Sequence, residues 1–159
     1  MSEFDVTKLD AADRRILRAL QVDARRSIAD LAEIAGLSPS ACHRRIKLLE
    51  ERGLVSAYVA RLDRARLGFA LVFFVEASLV SQGAKNQTAF EAAVAKVDEI
   101  LECHLMAGET DYFMRVVATD LADFERIHRD KLAKLPHLGR LKSNLTIREV
   151  RPLRGLPVR

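Results

Sequence analysis

The stretch SIADLAEIAGLSPSACHRRIKLLEER, Ser27 to Arg52, decides how this chain is read. Ile28, Leu31, Ala32 and Ala35 recur at helical spacing, so one face of a short helix is apolar. Ser27 stands at its N-cap position and Gly36 ends it. A second helix starts at once: Ser38 is an N-cap residue and Pro39 sits at the first helical position, where its missing N–H costs nothing. Gly53 stops that helix. Two short helices joined through Ala35-Gly36-Leu37-Ser38 predict a steep helix–turn–helix corner.

On the second of these helices Cys42, Ile46 and Leu49 fall on one side, and Ser40, His43, Arg44 and Lys47 on the other. The first set can pack while the second presents donors outward. Arg44 and Lys47 can reach phosphates or guanine O6 and N7, and Ser40 and His43 can read base edges near the helix N-terminus. Ser38 and the free amides behind it suit a phosphate. Arg45 lies between the faces and reads as a structural or DNA-backbone contact. A plain solvated face is the alternative for this cluster; the glycine-centred turn favours duplex DNA as the partner.

Upstream, Asp10 is an N-cap candidate and Asp13 suits the first turn of a helix carrying Ile16, Leu17 and Leu20. The DNA-binding domain is therefore set at residues 1–63, with a connecting strand or linker to about 68. Charge adds little to this reading. The chain has a net charge of +4 and a pI near 9.3, but residues 1–63 carry 11 Lys+Arg against 10 Asp+Glu. Position of charge, not amount, carries the DNA assignment.

From Phe69 the pattern changes. Strands are expected at Ala70–Val80, Ile100–Ala107, Asp111–Thr119 and Arg140–Val150, with helices at about Asn86–Val97 and at Leu121–Leu135, the latter stopped by Pro136. The order βαββαβ is the ferredoxin-like split βαβ. The fold class is thus α+β: a winged-type helix-turn-helix domain, then a ferredoxin-like domain over 69–159. In the first strand Leu71, Phe73 and Val75 alternate with Val72 and Phe74, so both sheet faces are apolar. One face would be bare on a single chain, and a second subunit is expected to cover it in a two-fold dimer; the chain's own terminal regions are the alternative cover.

Composition fits this picture. Hydrophobic residues make up 49% and charged residues 30%, an ordinary balance for a chain with a packed core. Cys42 and Cys103, each beside a histidine, show neither disulfide-framework nor metal-ligand spacing and read as reduced thiols. No membrane span, signal peptide, catalytic motif, metal site or cofactor is expected, and a cytoplasmic, nucleoid-associated location follows.

Leu9-Asp10, Asp13-Arg14-Arg15-Ile16-Leu17, Leu20-Gln21, Asp23-Ala24-Arg25, Gly36-Leu37-Ser38, Arg45-Ile46, Gly53-Leu54-Val55 and Tyr58 resemble the N-terminal domain of the Lrp/AsnC family of transcription regulators. The second half resembles that family's amino-acid-sensing domain, whose hallmark Gly-x-x-Asp-Tyr turn stands here as Gly108-Glu109-Thr110-Asp111-Tyr112. The resemblance spans nearly the whole chain. It implies dimers that assemble further, often to octamers, and an amino acid or related metabolite as effector between dimers. It implies Leu105, Met106, Gly108, Glu109, Asp111 and Tyr112 at or near that site, with Asp120 and Ser143 as weaker candidates. On chemistry alone, backbone amides near Gly108 can hold a carboxylate and Asp111 an ammonium. The same turn reads equally as a hairpin in which Gly108 takes a positive φ and Asp111 caps the turn. Siroheme decarboxylases look similar in both domains, with His104 here on a central strand and His128 and His137 on or after a helix; a nonspecific architectural DNA binder is the other rival. The outward Arg44 and Lys47 favour a regulator over an enzyme.

Overall fold

A computed structural model describes residues 9 to 158. The outermost residues of the two expected domains, 1–8 and 159, lie outside the described ones. The chain forms two compact units: residues up to Arg61 together with the segment from Arg151, and Leu62–Val150.

The first unit is built on α1 (Ala11–Val22), α2 (Ile28–Ala35) and α3 (Pro39–Glu51). Local chemistry sets each boundary. The Asp10 carboxylate accepts from the Asp13 amide at 2.9 Å. Ser27 and Asp30 form a reciprocal capping box. Gly36 ends α2 in the left-handed region at φ +70°, where a side chain is strained. Gly53, at φ +71°, does the same beyond α3. The core joins Ile16 and Leu17 of α1, Leu31 and Ala35 of α2, and Cys42, Ile46 and Leu49 of α3. Two polar ties fix the helices. Arg15 Nη2 donates to the Ala35 carbonyl at 2.7 Å, and Arg45 of α3 pairs with Asp10 and Asp13 of α1. No strand follows α3 before Leu71 among the described residues.

The segment from Arg151 departs from the expected boundary, which carried the second domain to residue 159. Arg18 donates twice to the Val158 carbonyl, at 3.1 and 2.7 Å, Gln21 to the Leu156 carbonyl at 3.1 Å, and Arg61 to the Leu153 carbonyl at 2.7 Å. Val158 packs on the three-helix core. A Cβ on Gly155 would come within 2.3–2.9 Å of Gln21 side-chain atoms, so glycine permits this close approach.

The second unit is a four-stranded antiparallel sheet of β1 (Leu71–Leu79), β2 (Ile100–Leu105), β3 (Tyr112–Ala118) and β4 (Leu138–Leu145), ordered β2-β3-β1-β4. Helices α4 (Ala84–Val94) and α5 (Leu121–Asp130) supply the other core residues. Phe73, Val75, Ala77 and Leu79 alternate into a core with Tyr112, Met114, Val116, Phe90 and Ile127. Phe73 stacks on Phe124 of α5.

Several element ends differ from expectation. The last strand stops at Leu145, not Val150: Leu145 pairs with Phe73, the Thr146 amide still reaches the Val72 carbonyl, and Ile147 is fully exposed. Helix α5 ends at Asp130 and gives way to a 3-10 turn, Leu132–Lys134, before Pro136. Helix α4 is offset toward the N-terminus, since Gly83 rather than Asn86 precedes its first turn. His104 lies on an edge strand rather than a central one.

The sheet's other face carries Val72 and Phe74, with Val117 and Phe113 beside them. Within one chain Val72 and Val117 are already buried, which narrows the expected bare surface. Phe74 and Phe113 stack at 5.4 Å and remain half-buried. Around them lie the pairs Arg115–Glu102 (3.0 Å) and Lys142–Glu76 (3.1 Å).

Candidate nucleic-acid interface and effector turn

Helix α3 starts with the Ser38 Oγ accepting from the Ala41 amide at 3.3 Å. Its inward residues Cys42, Ile46 and Leu49 are buried, and burial pushes the Cys42 thiol up, away from thiolate reactivity. Ser40, His43, Arg44 and Lys47 are exposed. Ser40 Oγ lies 3.2 Å from Ser38 Oγ. Among the described residues, the side chains of His43, Arg44 and Lys47 make no hydrogen bond or ion pair, so their donors are open to an external partner.

Arg45 differs from this group. Its Nη1 is engaged by Asp13 at 2.9 Å and by Asp10, and it is only partly exposed. It ties α3 to the start of α1, the structural half of the two roles the sequence allowed. The Asp13 amide and the Arg45 guanidinium outweigh burial and hold the Asp10 carboxyl below its ordinary range.

A cleft of about 240 Å³ beside α3 is lined by Arg26, His43, Lys47, Glu50 and Tyr58, among others. Arg26 Nε is buried without a partner. Tyr58 donates to Glu50 at 2.7 Å; burial, then this carboxylate, pushes the phenol up to about 12. Arg26 was not singled out in the sequence. The available signal was a basic residue immediately before the N-cap Ser27, where α2 opens.

In the second unit, Leu105, Met106, Gly108, Glu109, Asp111 and Tyr112 share the β2–β3 hairpin, closed by the Met106 amide donating to the Asp111 carbonyl at 2.8 Å. Their environments diverge. Asp111 is buried: one carboxylate oxygen accepts from the Leu79 amide and the other from Gln82 Nε2, both at 2.7 Å. It fastens the hairpin to the end of β1. Tyr112 is buried against Phe90 and donates to Glu91 at 2.9 Å; burial and that carboxylate raise its pKa. Gly108 does not adopt a positive φ. Leu105, Met106, Gly108 and Glu109 are exposed. None of the amides of residues 107 to 110 has a backbone partner among the described residues. Leu105 and Tyr112 also line a cleft of about 530 Å³ between α4 and β2 with Cys103, whose thiol burial pushes up to about 11.

Asp120 and Ser143 are not brought to this turn. Asp120 caps α5 beyond the opposite end of β3, accepting from the Asp123 amide at 2.8 Å. Ser143 lies on the edge strand β4, opposite Val75. Among the described residues no group of three or more His, Cys, Asp or Glu side chains is placed to hold a metal ion, and no helix is long and apolar enough to cross a membrane.

Fold and site together define a helix-turn-helix protein with an appended ferredoxin-like unit. Residues 9–56 match the family model for winged helix-turn-helix DNA-binding, and residues 72–156 match that for the Lrp/AsnC ligand binding domain. The chain is 38% identical over 142 residues to a proline dehydrogenase transcriptional activator of Rhodobacter capsulatus, covering 89% of this chain and 92% of that protein. It is 35% identical to the leucine-responsive regulatory protein of Salmonella typhimurium, covering 95% and 92%. The crystal structure of a transcriptional regulator of Neisseria meningitidis in complex with L-Met superposes with a TM-score of 0.91 at 32% identity, covering 95% and 97%. The chain belongs to the Lrp/AsnC family and is a DNA-binding transcription regulator.

Proposed function

We propose that α3 enters the major groove of duplex DNA, with Ser40 and His43 toward base edges and Arg44 and Lys47 on guanines or phosphates. The observation that carries this is the division of one helix into a buried face and a row of exposed donors, of which His43, Arg44 and Lys47 have no partner among the described residues. Ser38 opens that helix toward a backbone phosphate, while Arg45 orients it. Arg44→Ala is expected to weaken binding to a selected duplex by about 1–3 kcal/mol and to relax preference at one base position. Unchanged affinity and unchanged preference would remove Arg44 from the reading.

The second unit is proposed to bind an amino acid or related metabolite at the β2–β3 turn. The unpartnered amides of residues 107 to 110 suit an α-carboxylate, with Leu105, Met106 and Glu109 on the exposed side. The neisserial relative in complex with L-Met is consistent with that chemistry. Asp111, already engaged on both oxygens, supports the turn from behind. Phe74 and Phe113 on the open sheet face favour a homodimer, with octamers as the higher assembly. Two recognition helices would then serve half-sites about 34 Å apart or a multiple of it. The protein would act on the nucleoid, without membrane attachment. A calorimetric titration with individual amino acids tests the effector assignment; failure of every one would leave DNA binding standing alone.

The decarboxylase alternative is disfavoured by its histidines. His104 is exposed on the open face of an edge strand, whereas His128 sits on α5, over the other face, 6.1 Å from Phe124.

A further inference from the structure

We propose that the segment following the sensing unit is a second DNA-contacting element, in which Arg151 and Arg154 neutralise backbone phosphates beside the groove occupied by α3. This rests on the reading of α3 as the recognition helix.

The segment is fixed to the DNA-reading unit. Arg18, Gln21 and Arg61 hold three of its carbonyls, and Val158 packs on the helical core. Arg151 and Arg154 are exposed, and among the described residues neither makes an ion pair or a side-chain hydrogen bond. The segment contains no acidic residue to neutralise them.

Charge follows the fold. Residues 1–61 hold 11 Lys+Arg and 9 Asp+Glu, a net of +2. Residues 151–159 add three arginines and no carboxylate, raising the first unit to +5. Residues 62–150 hold 12 Lys+Arg against 13 Asp+Glu, a net of −1. The positive charge of the chain is therefore gathered on the unit that meets DNA, and more than half of it arrives with this segment. A polyanion whose affinity is dominated by its phosphates is the partner this distribution fits.

The location fits as well. Leu20 lines the cleft that holds His43 and Lys47, and it also lines the groove that holds Leu156 to Val158. The cleft beside α3 and the groove that holds the segment thus both border Leu20 of α1.

The test is the salt dependence of binding by the full-length protein. Arg151→Gln/Arg154→Gln is compared with wild type on a selected duplex and on a scrambled one. The expected result is weaker binding to both duplexes, unchanged discrimination between them, and a log–log salt slope reduced by roughly 0.9 for each phosphate left unneutralised. The Arg151→Lys/Arg154→Lys variant should regain the slope, which a purely structural role for the arginines would not. An unchanged slope in the glutamine variant overturns the proposal while leaving the α3 reading intact. Wild-type protein that binds neither duplex overturns the α3 reading itself. Matching melting temperatures establish that all three proteins are folded.

Discussion

Arg45 on α3 lies 2.9 Å from the Asp13 carboxylate on α1, and Asp13 is buried beneath it. A residue in the middle of α3 thus faces its own domain while its neighbours Arg44 and Lys47 are exposed. The pair joins α3 to the start of α1, and under the proposed reading it would set the angle at which the outward row meets DNA.

Removing that brace should be costly in two ways. Arg45→Ala leaves the buried Asp13 carboxylate without its cation, a loss on the order of 1–2 kcal/mol after allowing for partial exposure of the arginine. It should also weaken binding to all duplexes together rather than at one base. Urea unfolding and binding to several operator variants would separate the two; normal stability in Arg45→Ala would contradict the brace.

Gly36 gives a cleaner backbone test. A Cβ there meets nothing closer than Arg15 Nη2 at 3.8 Å, so space is available, but φ is +70°. Gly36→Ala should cost about 1–2 kcal/mol from left-handed strain alone. A melting temperature equal to wild type would show that the corner tolerates another conformation.

Asp111→Ala should lower stability by about 1–3 kcal/mol, since it strips the buried Leu79 amide of its acceptor and releases Gln82. Any lost effector response would then be secondary to a loosened hairpin. An unchanged urea midpoint alongside lost effector binding would instead return Asp111 to direct ligand contact.

Acid should find the second unit at Glu99. Burial pushes its carboxyl up, but Lys131, its own amide and nearby Arg126 outweigh that and hold it below the ordinary range. Lys131 Nζ lies 2.7 Å from both oxygens. A carboxyl with a lowered folded pKa contributes stability that is present above its unfolded value and lost as pH falls through the folded one. The stability difference between wild type and Glu99→Gln should be constant near neutrality and shrink as pH drops below the ordinary carboxylate range. A difference independent of pH would mean the pair adds nothing electrostatic.

Much of the first unit was legible because its signals are local. Ser27 with Asp30, Ser38 with Pro39, and Gly36 each act within a turn of the boundary they set. The split βαβ order was legible from periodicity, since Phe73, Val75, Ala77 and Leu79 alternate against the helices. Strand ends were not, because β4 stops with Leu145 opposite Phe73, and nothing near Leu145 announces it. The anchoring of Asp111 by Leu79 and Gln82 spans about thirty residues, and the grip of Arg18 on Val158 spans 140. Such long-range ties have no periodic signature. The division of the Gly108–Tyr112 turn into buried Asp111 and Tyr112 and exposed Gly108 and Glu109 depends on such ties and leaves no local mark in the sequence.

The return of residues 151 to 158 to the three-helix unit also bears on how the protein is made. Domains tend to fold in order as the chain leaves the ribosome. Here α1 to α3 emerge first, yet the segment that clasps them is translated only after the entire sensing unit. A nascent chain halted between Arg61 and Arg151 would carry all of α1 to α3 and still lack three-fifths of the net charge of the first unit.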